Sequence, residues 1–178
     1  MDALLLIIRT LGELYIFVLL LRFMLQLAQA DYYNPISQGV VKITTPVISP
    51  LQRLLPKAGR MDLSPILAGF AVKALLLFGL ITLVGHALPA TSLIVYAAVG
   101  LLNTFLDICF YAVLGSVIIS WIAPDSYHPA PQLIMQITAP LYKLVQKVVP
   151  PIGGFDLSPI VIFIVIQIVQ AQLRPFII

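Results

Sequence analysis

Charge is what this sequence has least of. Only 10% of its 178 residues are Asp, Glu, Lys or Arg, whereas 61% are hydrophobic and the mean hydropathy is +1.07. Soluble domains carry about 25% charged and about 45–50% apolar residues, so this chain has too few charges to cover a water-facing surface. A membrane protein is the class that remains. The single cysteine, Cys109, excludes a disulfide framework and a Cys-rich metal site, and the apolar content excludes a disordered chain. The ten bases outnumber the seven acids, for a net charge of +3 and a pI near 9.1. They are scattered among apolar segments rather than gathered in a patch, which argues against nucleic acid and points to anionic lipid headgroups of the bilayer. His86 and His128 fall on opposite sides of the spans below and cannot share a metal. Each alone could ligate a haem, but a boundary histidine is more often solvated. No nucleotide loop, nucleophile–base pair, metal-ligand spacing or Gly-rich phosphate cradle occurs, so neither a cofactor nor an enzymatic activity is expected.

Four apolar runs reach the roughly 20 helical residues that cross a bilayer. They cover about residues 3–28, 65–88, 92–122 and 159–176. Leu27-Ala28-Gln29-Ala30 looks like a signal cleavage site, yet Asp2 sits where an early base belongs and Arg9 and Glu13 interrupt the run. The first run is therefore read as a span.

Shifting the chain by 94 residues aligns 34–70 with 128–164 without a gap, and 13 of the 37 pairs are identical. Pro35, Gln38, Ile43, Thr44, Pro46, Gln52, Pro56 and Gly59 meet Pro129, Gln132, Ile137, Thr138, Pro140, Gln146, Pro150 and Gly153. Asp62-Leu63-Ser64-Pro65-Ile66 meets Asp156-Leu157-Ser158-Pro159-Ile160. The chain is a duplication, with units at about residues 1–91 and 92–178. Each unit holds two spans, so both copies enter the membrane from one side and are parallel repeats related by an axis near the membrane normal. The fold expected is an all-α membrane protein of four transmembrane helices in two tandem parallel repeats, each with an amphipathic interfacial connector helix.

Twelve of the 14 prolines lie in the two connectors. In the first, Ile36, Val40, Ile43, Val47, Leu51 and Leu54 recur at helical spacing, with Ser37, Gln38, Lys42, Ser49, Gln52 and Arg53 between them. This predicts an amphipathic helix, broken or kinked near Pro46 and Pro50. The second repeats it with Leu133, Ile137, Leu141, Leu144 and Val148 against Gln132, Gln136, Lys143, Gln146 and Lys147. Such helices suit the headgroup plane. The alternative is a re-entrant hairpin lining a pathway, which Lys42, Lys143 and Lys147 disfavour. After each connector, Ser64-Pro65 and Ser158-Pro159 predict a serine N-cap with proline in the first turn, and Asp62 and Asp156 lie near the positive end of the helix dipole. The competing role for the two carboxylates is a cation site, which would need further oxygens from backbone carbonyls.

Ionisable groups inside spans are costly and therefore informative. The repeat offset carries Glu13 onto Asp107 and Lys73 onto Gln167, so each copy has an acid on its first helix and a donor on its second. Arg9 is four residues before Glu13 and can neutralise it, and Asn103 stands at the same spacing from Asp107. Arg22 is close enough to the helix end to snorkel. The four charged residues Glu13, Arg22, Lys73 and Asp107 are thus either neutralised structural groups or an intramembrane polar path. Gln26, Ser120, Gln167, Gln170 and Gln172 suit ordinary interhelical hydrogen bonding.

The paired pattern of Asn34-Pro35, Thr44-Thr45-Pro46, Gln52-Arg53-Leu54-Leu55-Pro56 and Asp62-Leu63-Ser64-Pro65 resembles the YggT family, also called YlmG, in its two-copy form. Its second-copy counterparts are Ser120-Trp121, His128-Pro129, Thr138-Ala139-Pro140 and Gln146-Lys147-Val148-Val149-Pro150. Arg22 stands where the family often has an arginine before its Ser-Trp element. The first copy lacks that Trp, and the second has Ser116 in place of the arginine. The resemblance implies an inner-membrane protein. Bacterial relatives are linked to osmotic tolerance and monovalent cation balance, photosynthetic ones to cytochrome haem attachment, membrane biogenesis and division placement. Two classes of function follow, a small cation-homeostasis protein and a non-catalytic assembly factor, with homo-oligomers or membrane protein partners implied. Lys42, Arg53, Lys57, Arg60, Lys143 and Lys147 lie in the connectors and none lies in 86–91, so the connectors are expected in the cytoplasm and the termini in the periplasm.

Overall fold

Long apolar runs and two proline-rich connectors divide the chain into helices. The computed structural model describes residues 3–54, 61–124, 126–151 and 156–177, which are helical with short connections. Asp2, Leu55, Pro56, Lys57, Gly59, Arg60 and Gly153 lie outside the described residues. The elements are α1 (Ala3–Leu27), α2 (Pro35–Leu54), α3 (Ser64–Leu83), α4 (Ala90–Ile122), α5 (Pro129–Gln146), α6 (Ser158–Leu173) and a 3₁₀ turn (Arg174–Phe176). α1, α3, α4 and α6 with its 3₁₀ turn are long and apolar enough to cross a membrane. α1–α2–α3 and α4–α5–α6 repeat one order, span, connector, span.

The second span ends five residues before its apolar run does. The amide of Gly85 reaches back to Thr82 O and that of His86 to Ile81 O, with Gly85 at φ +79°. This paired reverse bonding is a Schellman cap, and it needs a residue in the left-handed region. α1 ends in the same way, with Gln29 at φ 51° and Ala30 N bonded to Leu25 O.

α2 runs unbroken through Pro46 and Pro50, against the expected break. Proline removes the N–H that would bind the carbonyl four residues back, here Lys42 and Pro46. Both of those residues are exposed, so water can take the freed carbonyls and the helix continues. Its apolar side also divides differently from the expectation. Ser37, Val40, Thr44 and Ile48 are buried against the spans, while Ile36, Ile43 and Val47 are exposed. Lys42, Thr45, Ser49 and Arg53 line a groove on the remaining side. At 100° per residue these are three separate stripes. One stripe faces the bundle and two are exposed, one apolar and one polar, the division that suits a helix lying in a headgroup plane. In α5, Leu133, Ile137 and Thr138 are buried while Leu144 is exposed, and Val148, expected on the same helix, lies beyond its end at Gln146 and is exposed.

The core joins Ile16, Leu20 and Met24 of α1 to Leu101, Ile108 and Val113 of α4, with Leu133 and Ile162 from the second copy. The bundle is not a closed twofold. α3 packs against both α1 and α4, whereas among the described residues α6 packs against α4 and makes no contact with α1. The copies meet along α4 and again at the connector end, where Asn34 Nδ2 donates to Pro129 O at 2.8 Å and Asp31 N donates to Gln136 Oε1 at 2.9 Å.

Candidate functional site

Two groups of polar side chains recur in the copies, one at the middle of the spans and one at the connector ends. Lys73 lies nine residues into the 20-residue α3, which puts it roughly 14 Å from the helix start at 1.5 Å per residue. Its Nζ forms an ion pair of 2.5 Å with Glu13 Oε1 of α1. The expected intrahelical partner, Arg9, is not the one used, because α3 wedged beside α1 delivers an ammonium directly. Lys73 is 8% exposed and crosses α4 at Gly100, where an added Cβ would lie 2.6 Å from its Cε. An alanine there would push the end of the lysine side chain aside.

In the second copy, Asp107 lies at the middle of α4. Asn103 Nδ2 donates to its Oδ2 at 3.0 Å, the spacing expected from sequence. Gln170 Nε2 donates to Oδ1 at 2.7 Å. The donor on α6 is therefore Gln170 and not Gln167, which is exposed. The physical cause is the missing second neighbour. α3 must face α1 and α4 together and buries Ser64, Ala68, Lys73 and Leu77, whereas α6 faces α4 and buries Ser158, Ile162 and Ile166. The next residue on that stripe is Gln170.

A cavity of about 320 Å³ lined by Leu5, Arg9, Glu13, Leu77, Val84 and His86 leads from the terminal end of the bundle to Glu13. A second, of about 390 Å³, lies at the connector end beside Arg22, Ser37, Gln52 and Asp62. Ile16, Leu19 and Leu20, each at most 2% exposed, occupy α1 between Glu13 and Arg22.

At the connector end, Asp62 Oδ1 accepts the Ser64 amide at 2.9 Å while Gln52 Nε2 donates to Oδ2. Asp156 repeats this with Ser158 N at 2.9 Å and Gln146 Nε2 at 3.0 Å. The cap is thus the aspartate and not the serine. Leu63 and Leu157 hold the N-cap positions without a side-chain bond, and Pro65 and Pro159 follow in the first turn. Each carboxylate fastens the end of a connector helix to the start of the next span. Burial pushes the Asp62 carboxyl up, but the hydrogen bonds from Ser64 and Gln52 and the Arg22 charge together hold it below the usual carboxylate range. Asp156 is likewise lowered, its hydrogen bonds outweighing its burial. Gln52 and Gln146 carry no marked role in the sequence, although their constant ten-residue spacing to the aspartates was the available signal.

Arg22 is half-buried at the connector end. Its Nη1 donates to Thr44 Oγ1 at 2.9 Å, Thr45 Oγ1 at 3.2 Å and Val41 O at 3.3 Å, which pins α2 to α1. At the matching position, Ser116 meets the Tyr142 hydroxyl at 2.8 Å. His128 caps α5, its Nδ1 accepting from Ala130 N at 3.4 Å.

The chain matches the CCB3/YggT family over residues 1–83 and 95–177. It belongs to the CCB3/YggT family. The two matched segments follow the duplication. The chain is 38% identical over 166 residues to the uncharacterized protein PA0392 of Pseudomonas aeruginosa, covering 92% of this chain and 84% of that one. It is 34% identical over 173 residues to the uncharacterized protein YggT of Escherichia coli K12, covering 96% and 88%. An uncharacterized Vibrio alginolyticus protein is 35% identical over 169 residues, covering 94% and 91%. No solved structure matches.

Proposed function

We propose that this chain is a non-enzymatic protein of the bacterial inner membrane that supports osmotic tolerance through monovalent cation balance. The observation that carries the reading is a carboxylate at the middle of the first span of each copy, Glu13 and Asp107, each held by a donor from that copy's second span. A charge at that depth is retained against a cost of several kcal/mol. The cavity from the terminal end gives Glu13 an approach, and a monovalent cation arriving there competes directly with the Lys73 ammonium. Connectors in the cytoplasm and termini in the periplasm follow from the distribution of lysine and arginine. The second reading is an assembly factor that docks membrane proteins or a second copy, favoured by the α1 and α6 faces that do not meet.

The test is growth under sodium and potassium stress in a bacterial strain lacking its own family member. The wild-type chain restores growth, and Glu13→Gln with Asp107→Asn fails at unchanged membrane abundance. Full rescue by the double variant would discard the cation reading in favour of the assembly factor.

A further inference from the structure

The two copies differ where Arg22 stands. Its counterpart at 22 + 94 is Ser116, while Thr44, Gln52 and Asp62 keep their partners in Thr138, Gln146 and Asp156. In the first copy the guanidinium occupies the space between these groups, touching Thr44 and adding its charge to the surroundings of Asp62. In the second, a cavity of about 710 Å³ is lined by Ser116, Thr138, Gln146, Asp156, Lys143 and Trp121. This volume lies within the roughly 300–1,000 Å³ of ligand sites. The first-copy cavity, with the arginine in it, is about 390 Å³.

We propose that this second-copy cavity binds the headgroup of a phosphoethanolamine-type lipid, whose ammonium takes the place that Arg22 fills in the first copy. Among the described residues Asp156 forms no ion pair. Its oxygens accept one hydrogen bond each, which leaves lone pairs for an ammonium. Ser116 and Thr138 are both at most 2% exposed and form the polar floor. Lys143 lies on the same wall and supplies the positive partner for the phosphate. Ile160 and Phe163 continue the lining along α6, and Trp121, 85% exposed, stands at its edge. A zwitterionic headgroup with an acyl chain matches that order of carboxylate, ammonium of lysine and apolar wall. A soluble amine would use the carboxylate and leave the apolar wall bare.

Trp121 is the one tryptophan in the chain, so its fluorescence reports this cavity. The full chain is reconstituted in phosphatidylcholine vesicles containing brominated phosphatidylethanolamine or brominated phosphatidylcholine, and quenching of Trp121 gives the relative affinity. The expected result is a preference of about tenfold for the ethanolamine lipid, equivalent to about 1.4 kcal/mol. Ser116→Arg refills the space from within, and Asp156→Asn removes the charge while keeping one oxygen for the Ser158 amide, and each brings the preference to parity. Asp62→Asn, in the copy whose space is already filled, leaves it unchanged. Equal quenching by the two lipids in the wild-type chain, or a preference that survives both second-copy variants, overturns the proposal. So does loss of the preference on adding soluble phosphoethanolamine without lipid, which would assign the site to a free ligand.

Discussion

Gly100 is the point at which packing and charge are most tightly joined, and replacing it by alanine separates them. The added methyl would sit 2.6 Å from Lys73 Cε, closer than real Cβ contacts come, so the end of the lysine must retreat by a few tenths of an ångström or more. Its Nζ is 2.5 Å from Glu13 Oε1, and that retreat pulls directly on the ion pair. Overpacking of this kind costs about 1–3 kcal/mol. Alanine in a helix recovers up to about 1 kcal/mol over glycine. After the full alanine gain the net effect in the wild-type chain is a loss of about 0–2 kcal/mol, each kcal/mol lowering Tm by roughly 2–4 °C for a chain of this size. In a Glu13→Gln, Lys73→Ala background the obstructing side chain is gone and no charge is left unpaired. The same Gly100→Ala change should then be neutral or stabilising by up to about 1 kcal/mol. Reversible unfolding by SDS in mixed micelles, followed by circular dichroism, measures all four corners of the cycle. An equal loss in both backgrounds would show that Lys73 does not pass over Gly100 and would refute the geometry.

Asp62→Asn with Asp156→Asn should cost little in thermal stability, because asparagine keeps an oxygen for the following amide, whereas Asp→Ala at either site should cost about 0.5–2 kcal/mol. A double Asn variant as unstable as the Ala variants would contradict the capping role. Both carboxyls are held below their ordinary value of 3.8, so their contribution is fully present above that pH and is lost as pH falls through the lowered values. Unfolding between pH 7 and 3 should show this acid loss, and it should disappear in the double Asn variant. Cysteines replacing Lys42 and Lys143 in a Cys109→Ser background should react with an impermeant thiol reagent from the cytoplasmic face, and a C-terminal reporter that fluoresces only in the cytoplasm should stay dark. Labelling from the opposite face would reverse the topology.

The four spans and the repeat were legible because each rests on composition or on identity at a fixed offset. What was not legible depends on the rotation of one helix against another. Arg9 and Lys73 were both available to Glu13, and only the placement of α3 selects the lysine. Gln167 and Gln170 differ by three residues, about 60° around α6, and the choice turns on α6 having one neighbouring span where α3 has two. A capping role for the Asp-Leu-Ser-Pro carboxylates was legible from the block itself, whereas the serine expected at the N-cap stands one residue inside the helix, its amide bound by the aspartate two residues earlier. The unbroken α2 shows the limit of proline as a breaker. Where the freed carbonyls face water, as at Lys42 and Pro46, the helix does not have to stop.

The central claim is that the mid-span carboxylates serve cation movement. The most direct measurement is K⁺ and Na⁺ flux into vesicles reconstituted with the purified chain, compared with Asp107→Asn and Glu13→Gln at equal incorporation. The account predicts flux above that of protein-free vesicles and a marked fall in both variants. Wild-type flux no greater than that of protein-free vesicles, or flux that neither substitution changes, would contradict it.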